Sequence, residues 1–223
     1  MILKKTTAIL FAASMAFCLC ACSVKINIDD KSDDPGIQKE CPEEATDEFL
    51  GKIADENAPD IDISGCDTFT QIVDAKLSEG MGYANEKIGS EDVLLVCSQT
   101  YDNLDGNMAS TDAAVFMYKD SMPFEVGKVC SGGTAYPLAV KGGILYAGSN
   151  HWICKYTIKD DKLVITEKAA VVYNENGEGT YYCESLEGEQ ISPEDAAGSE
   201  ERFNSMFDEL FNANIVNFSV VAK

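Results

Sequence analysis

The sequence predicts an α+β domain: an antiparallel β-meander, drawn as a sheet or a partly closed barrel, with two helices before it and one helix and a strand after it. Two patterns carry this expectation. Between residues 93 and 184, short runs rich in β-branched and aromatic residues are separated by turn signals such as Gly142-Gly143 and Asp160-Asp161. Short links of that kind join antiparallel neighbours. On either side of this span, apolar residues recur at helical spacing. The strict alternation of helix and strand expected of a parallel α/β fold is absent.

Each element has its own signal. Pro42 suits the first position of a helix, with Glu43 and Glu44 in its first turn. Ala45, Phe49, Leu50 and Ile53 then share one face, so a helix is expected to about Asp55. Pro59 and Gly65 break the chain. Asp67 or Thr68 caps a second helix with Phe69, Ile72, Val73 and Leu77 on one side and Gly80 at its end. The expected strands are VLLVC (93–97), AAVFMY (113–118), FEVGKV (124–129), YPLAV (136–140), ILYAG (144–148), WICKYTI (152–158), KLVITE (162–167), AVVYN (170–174) and TYYCE (180–184). A third helix is predicted from Glu200 to Asn212, with Phe203, Met206, Phe207, Leu210 and Phe211 as its apolar face. Ile215–Val221 closes the chain as a strand.

The N-terminal segment sets the location. Lys4-Lys5 precedes an apolar run from Ala8 to Leu19, followed by Cys20-Ala21-Cys22; a basic region, a short apolar region and a small residue before the cut form a secretory signal. Leu19, Ala21 and Cys22 resemble the lipobox of bacterial lipoprotein precursors, in which the cysteine after the cut receives the lipid. Cys20 departs from the small or β-branched residue usual between them. The resemblance implies a signal peptide over 1–21, lipidation of Cys22, and a protein exported and lipid-anchored to the outer face of the bacterial cytoplasmic membrane. Two or more acyl chains anchor stably where one does not. Residues 22–40 read as a flexible polar spacer, with acidic runs and Pro35-Gly36 but no core-forming period. Residues 41–223 read as a single α+β domain. Over residues 67–184 the chain also resembles a lipoprotein domain of anaerobic Gram-positive bacteria that carries no established activity. Met81-Gly82-Tyr83-Ala84, Val93–Val96, Tyr101-Asp102 with Asp105-Gly106, Gly133–Leu138 and Gly148–His151 bear that likeness.

Charge narrows the partners. The chain carries 17 basic and 38 acidic residues, a formal net of −21, and loss of Lys4 and Lys5 with the signal makes the remainder more acidic still. Such a surface repels nucleic acid and anionic lipid. A small molecule, a glycan or a protein remains as the ligand. Beyond Cys22, the cysteines stand 24 to 33 residues apart with no C-x-x-C pair, which disfavours a zinc ribbon or a thioredoxin-like site. Export permits disulfides. Cys41 and Cys66, each in a polar stretch ahead of a helix, are the pair singled out for one.

Candidate chemistry is sparse. Asp102, Asn103, Asp105, Asn107 and Asp112 could offer hard oxygens to Ca²⁺, although with Gly106 at the sixth loop position the twelfth is Asp112 and not Glu. The competing reading is a solvated Asp-Gly turn. His151 is the only histidine, and Asn150-His151 before a strand reads as a turn more readily than as a catalytic pair. No G-x-S-x-G, H-E-x-x-H or P-loop motif occurs in the chain. Tyr101, Asn150, His151 and Trp152 are the candidate ligand-binding residues, since aromatic faces with polar tips suit sugars and peptides; most aromatics in strands nevertheless pack in the sheet. The first functional expectation is a lipid-anchored surface module that binds or interacts without catalysis and without a cofactor. The alternatives are an exported hydrolase using carboxylates or a cysteine, and a calcium-stabilised structural domain.

Overall fold

Thr46, and not Pro42, starts the first helix. Its hydroxyl accepts from the Phe49 N–H at 3.2 Å, satisfying a donor that the helix itself leaves orphaned. Pro42 instead precedes a single 3₁₀ turn, Glu43–Ala45, and α1 follows as Asp47–Asn57 with Leu50 and Ala54 buried. The computed structural model describes residues 41–185, 190–191 and 196–222; the expected signal (1–21), Cys22 and the spacer (22–40) lie outside them. The second helix, α2 (Phe69–Lys76), has Thr68 as its cap, reinforced by a reciprocal capping box with Gln71. It stops before Gly80, because Leu77 turns extended and is only 1 % exposed.

The strands are β1 (Gly82–Ile88), β2 (Glu91–Cys97), β3 (Tyr101–Asp102), β4 (Met108–Ala109), β5 (Asp112–Lys119), β6 (Met122–Cys130), β7 (Ala139–Lys141), β8 (Ile144–Gly148), β9 (Trp152–Lys159), β10 (Lys162–Tyr173), β11 (Gly179–Ser185) and β12 (Gln190–Ile191). After them come α3 (Ala196–Phe211), β13 (Asn214–Ile215) and β14 (Ser219–Val220). KLVITE and AVVYN are one strand: β10 absorbs an extra residue where its register to β9 slips between Ile165 and Glu167. β1 was not expected, because Asn85-Glu86-Lys87 dilutes its apolar content. It is held by seven paired positions along β2.

The α+β class holds, and the strands form open sheets rather than a barrel. One has the order β14-β1-β2-β5-β6, the other β12-β11-β10-β9-β8-β7-β13, and β3-β4 forms a small hairpin. Alternate residues of β2 explain the stacking. Val93, Leu95 and Cys97 join a core shared with Leu145, Ala147, Trp152, Cys154 and Tyr156 of the longer sheet. Leu94 and Val96 face the other way, under Ile72 and Leu77. The outer face of the longer sheet is covered in turn by Phe203, Met206 and Leu210 of α3. The order of layers is therefore α2, five-stranded sheet, seven-stranded sheet, α3. A strand buried on both faces reads as a continuous apolar run, which is why VLLVC lacks alternation.

The expected closing strand 215–221 divides in two for the same reason. β13 pairs with β7 of the longer sheet and β14 with β1 of the shorter one, while Val216 and Phe218 between them are buried in the shared core. The chain end thus fastens both sheets.

Two polar clusters set inside this packing are fully paired. Lys155 of β9 lies 3.0 Å from Glu167 of β10 and also pairs with Glu209 of α3. Arg202 of α3 pairs with Glu167 and, at 3.1 Å, with Glu209. Burial raises the Glu167 and Glu209 carboxyls, but the bonds from Lys155 and Arg202 outweigh it and leave both below the usual carboxylate range. In the second cluster, Lys168 pairs at 2.7 Å with Asp47 of α1 and at 3.1 Å with Glu184 of β11.

The expected Cys41–Cys66 bridge is not formed. Cys41 packs against the core between the sheets, whereas Cys66 is buried in the layer beneath α2, with the five-stranded sheet between the two locations. Cys41, Cys66, Cys97, Cys130, Cys154 and Cys183 are all free thiols.

Candidate functional site: an aromatic cleft beside the third helix

The C-terminal end of α3 does not close fully on the sheet. Between it and the loop joining β6 to β7 lies a cleft of about 290 Å³, walled by Thr134, Tyr136, Pro137, Leu210, Phe211 and Ile215, with Asn103 at its rim. Tyr136 meets the edge of Phe207 at 5.9 Å between ring centroids and lies 6.3 Å from Phe211. Phe207 continues the aromatic row to Phe203 at 4.8 Å, and Phe203 to Tyr181 at 5.3 Å. Phe211 is 64 % exposed, unusual for a ring of that size. Asn103 brings the β3–β4 hairpin to the cleft, and the next residue, Leu104, is 92 % exposed at a left-handed φ of 62°.

Two of the four expected ligand residues brace this cleft from behind. The Tyr101 hydroxyl donates to the Thr134 carbonyl at 3.0 Å, and burial raises that phenol above its ordinary range. Asn150 Oδ1 accepts from the Tyr136 hydroxyl at 2.9 Å. His151 is exposed; its ring meets Tyr173 edge-on at 5.8 Å and its backbone N–H donates to Ser149 Oγ at 3.2 Å. Trp152 is corrected outright: it is 5 % exposed and belongs to the core between the sheets, because β9 turns its even-numbered residues inward.

The five expected calcium ligands do not act as a set. Asp112 sits in β5, where its carboxylate accepts from the backbone N–H of Ser98 at 2.8 Å and from its hydroxyl at 2.7 Å. Burial pushes this carboxyl above its ordinary range, outweighing the two Ser98 bonds that pull it down. In the hairpin, Asp102 accepts from the Leu104 N–H, and Asp105 from the Asn107 N–H and the Asn103 amide. Those carboxylates shape the turn. Among the described residues, no three acidic, histidine or cysteine side chains converge as a metal site.

Five of the described thiols are held away from nucleophilic form by burial. Burial pushes Cys41, Cys97, Cys130 and Cys183 each up to about 11, and Cys154 higher still; at neutral pH these groups are protonated and weakly nucleophilic.

Reading the sequence alone missed the cleft itself. In the sequence Tyr136 stands among many tyrosines that could line a groove or pack in the sheet, and Phe207 and Phe211 read as the apolar face of α3. One signal was present: Phe203, Met206 and Leu210 complete the buried stripe of α3, with Phe207 partly buried beside them, so Phe211 is surplus to it. Comparison with protein-family models, with curated proteins and with solved structures returned no match.

Proposed function

We propose that this protein is a lipid-anchored module of the bacterial cell surface that binds a ligand through the cleft between α3 and the β6–β7 loop, without catalysis. The observation that carries the binding reading is the apolar wall formed by Tyr136, Leu210 and Phe211, backed by the Phe207 ring and left open beside an otherwise closed core. Apolar concavities with a few fixed polar groups are the usual form of ligand sites. Tyr101 and Asn150 support it by holding the wall in place before any ligand arrives, which lowers the ordering cost of binding. The anchoring part rests on Leu19, Ala21 and Cys22, and the acidic balance keeps nucleic acid off the partner list. The hydrolase alternative gains no support from the protonated thiols or from His151, whose ring faces Tyr173.

Two experiments test this. Labelled fatty acid should incorporate into the full-length protein expressed in a bacterial host and not into Cys22→Ala; equal labelling of both overturns the anchor. Chemical-shift mapping of the domain with a library of small aromatic and aliphatic fragments should move Tyr136, Phe207, Phe211 and Ile215 together. If no fragment moves these residues, the cleft is not a binding site.

A further inference from the structure

We infer that the ligand of this cleft is a cationic peptide segment that seats an apolar side chain against Phe211, beside the hairpin that carries Leu104. This rests on the proposal that the cleft binds a ligand, and adds its chemical class. The walls are mostly apolar, with Asn103 and Thr134 as polar exceptions beside Tyr136, Leu210, Phe211 and Ile215, and include no charged side chain. The charge lies just outside them and is of one sign. Asp102 and Asp105 flank Leu104 on the hairpin tip, and Asp105 hydrogen-bonds Asn103 at the rim. Asp208 is exposed on α3, three residues before Phe211 and hence its neighbour on the helix surface.

Leu104 is the second part of the argument. A leucine at a φ of 62° and 92 % exposed is strained and unpacked, and such outliers persist where function retains them. The Asp102 and Asp105 side chains hold the turn that presents it. An apolar anchor against Phe211, with lysine or arginine on either side, would find Asp208 on α3 and Asp102 and Asp105 on the neighbouring hairpin. The net charge of −21 adds long-range attraction for such a segment and repels an acidic one.

The test uses fluorescence anisotropy on the domain with a labelled seven-residue peptide carrying a central phenylalanine between lysines. Two control peptides replace the lysines by glutamate or the phenylalanine by serine. The lysine–phenylalanine peptide should bind at least tenfold tighter than either control and weaken as salt rises from 50 to 300 mM. Phe211→Ser and Leu104→Ser, both at exposed positions, should each weaken it at least fivefold. The Asp102→Asn/Asp105→Asn pair keeps the acceptors that shape the turn and should weaken it at least threefold. Equal binding of the lysine and glutamate peptides overturns the cationic class. Lysine-peptide binding unchanged by Phe211→Ser and Leu104→Ser is diffuse charge attraction and overturns it as well. If fragments shift the cleft residues but no peptide binds, or a neutral N-acetylglucosamine oligomer binds there instead, the peptide class falls while the binding site stands.

Discussion

Tyr136 donates its phenolic hydrogen to Asn150 Oδ1 at 2.9 Å, tying the wall of the cleft to the turn that carries His151. Removing that one bond in Tyr136→Phe should lower stability by about 1 kcal/mol, a few degrees in melting temperature, while the ring stays against Phe207. Fragment-induced shifts at Phe207 and Phe211 should persist in this variant. Their disappearance without a change in melting temperature would show that the hydroxyl itself contacts the ligand.

Lys155→Met should be among the more damaging substitutions on the outer face of the seven-stranded sheet. It leaves Glu167 and Glu209 sharing Arg202 alone, and breaking a buried ion pair from one side costs about 3 kcal/mol. Urea unfolding at neutral pH measures it. The pH dependence has a definite sign. Both glutamates titrate below the usual range when folded, so their contribution is complete above the unfolded value of about 4.3 and is lost as pH falls through the folded values. Glu167→Gln should therefore lose less stability than the wild type between pH 5 and pH 3.

Asp112 runs the opposite way. Its folded carboxyl is raised by burial, so its favourable contribution is present below the unfolded value of about 3.9 and is lost as pH rises through the folded one. Asp112→Asn retains an acceptor for the Ser98 N–H and a donor for its hydroxyl. Its melting temperature relative to wild type should improve from pH 3 to pH 7. A difference that stays flat across that range would show that burial does not penalise the carboxylate.

Gly143 should tolerate no side chain. It has a φ of 82°, and a Cβ there would stand 2.8 Å from the Gly89 carbonyl oxygen, because the β7–β8 turn accepts a hydrogen bond from the Gly89 N–H at 2.7 Å. Gly143→Ala should cost about 3 kcal/mol through strain and displacement of that contact. Gly142→Ala, also left-handed but with open space around it, should cost about 1 kcal/mol. Thermal melts of the two variants give the comparison; equal losses would mean that the turns do not touch.

The thiols offer a chemical check on the packing. With Cys41 half-buried and Cys97 and Cys154 fully buried, a thiol reagent at pH 8 should modify the native domain slowly and Cys41 first. All six described thiols should react quickly in 6 M guanidinium. Rapid modification of Cys154 in the native protein would contradict its place between the sheets.

Local chemistry determined much of what the sequence showed by itself. Thr68 with Gln71, the β-branched runs and the paired turn residues act within a few positions of chain, so the start of α2, β8 and most hairpins were legible as written. What only the tertiary structure decided depends on partners far away in sequence. Whether VLLVC faces one core or two rests on α2 covering its outer side. Asn85-Glu86-Lys87 becomes strand because β2 supplies its ladder, and residues 214–220 split because two sheets compete for them. The same holds for the cleft: Tyr136, Asn150 and Phe211 come from separate elements, and burial between stacked sheets, which no local pattern encodes, took Trp152 out of the site and left Phe211 in it.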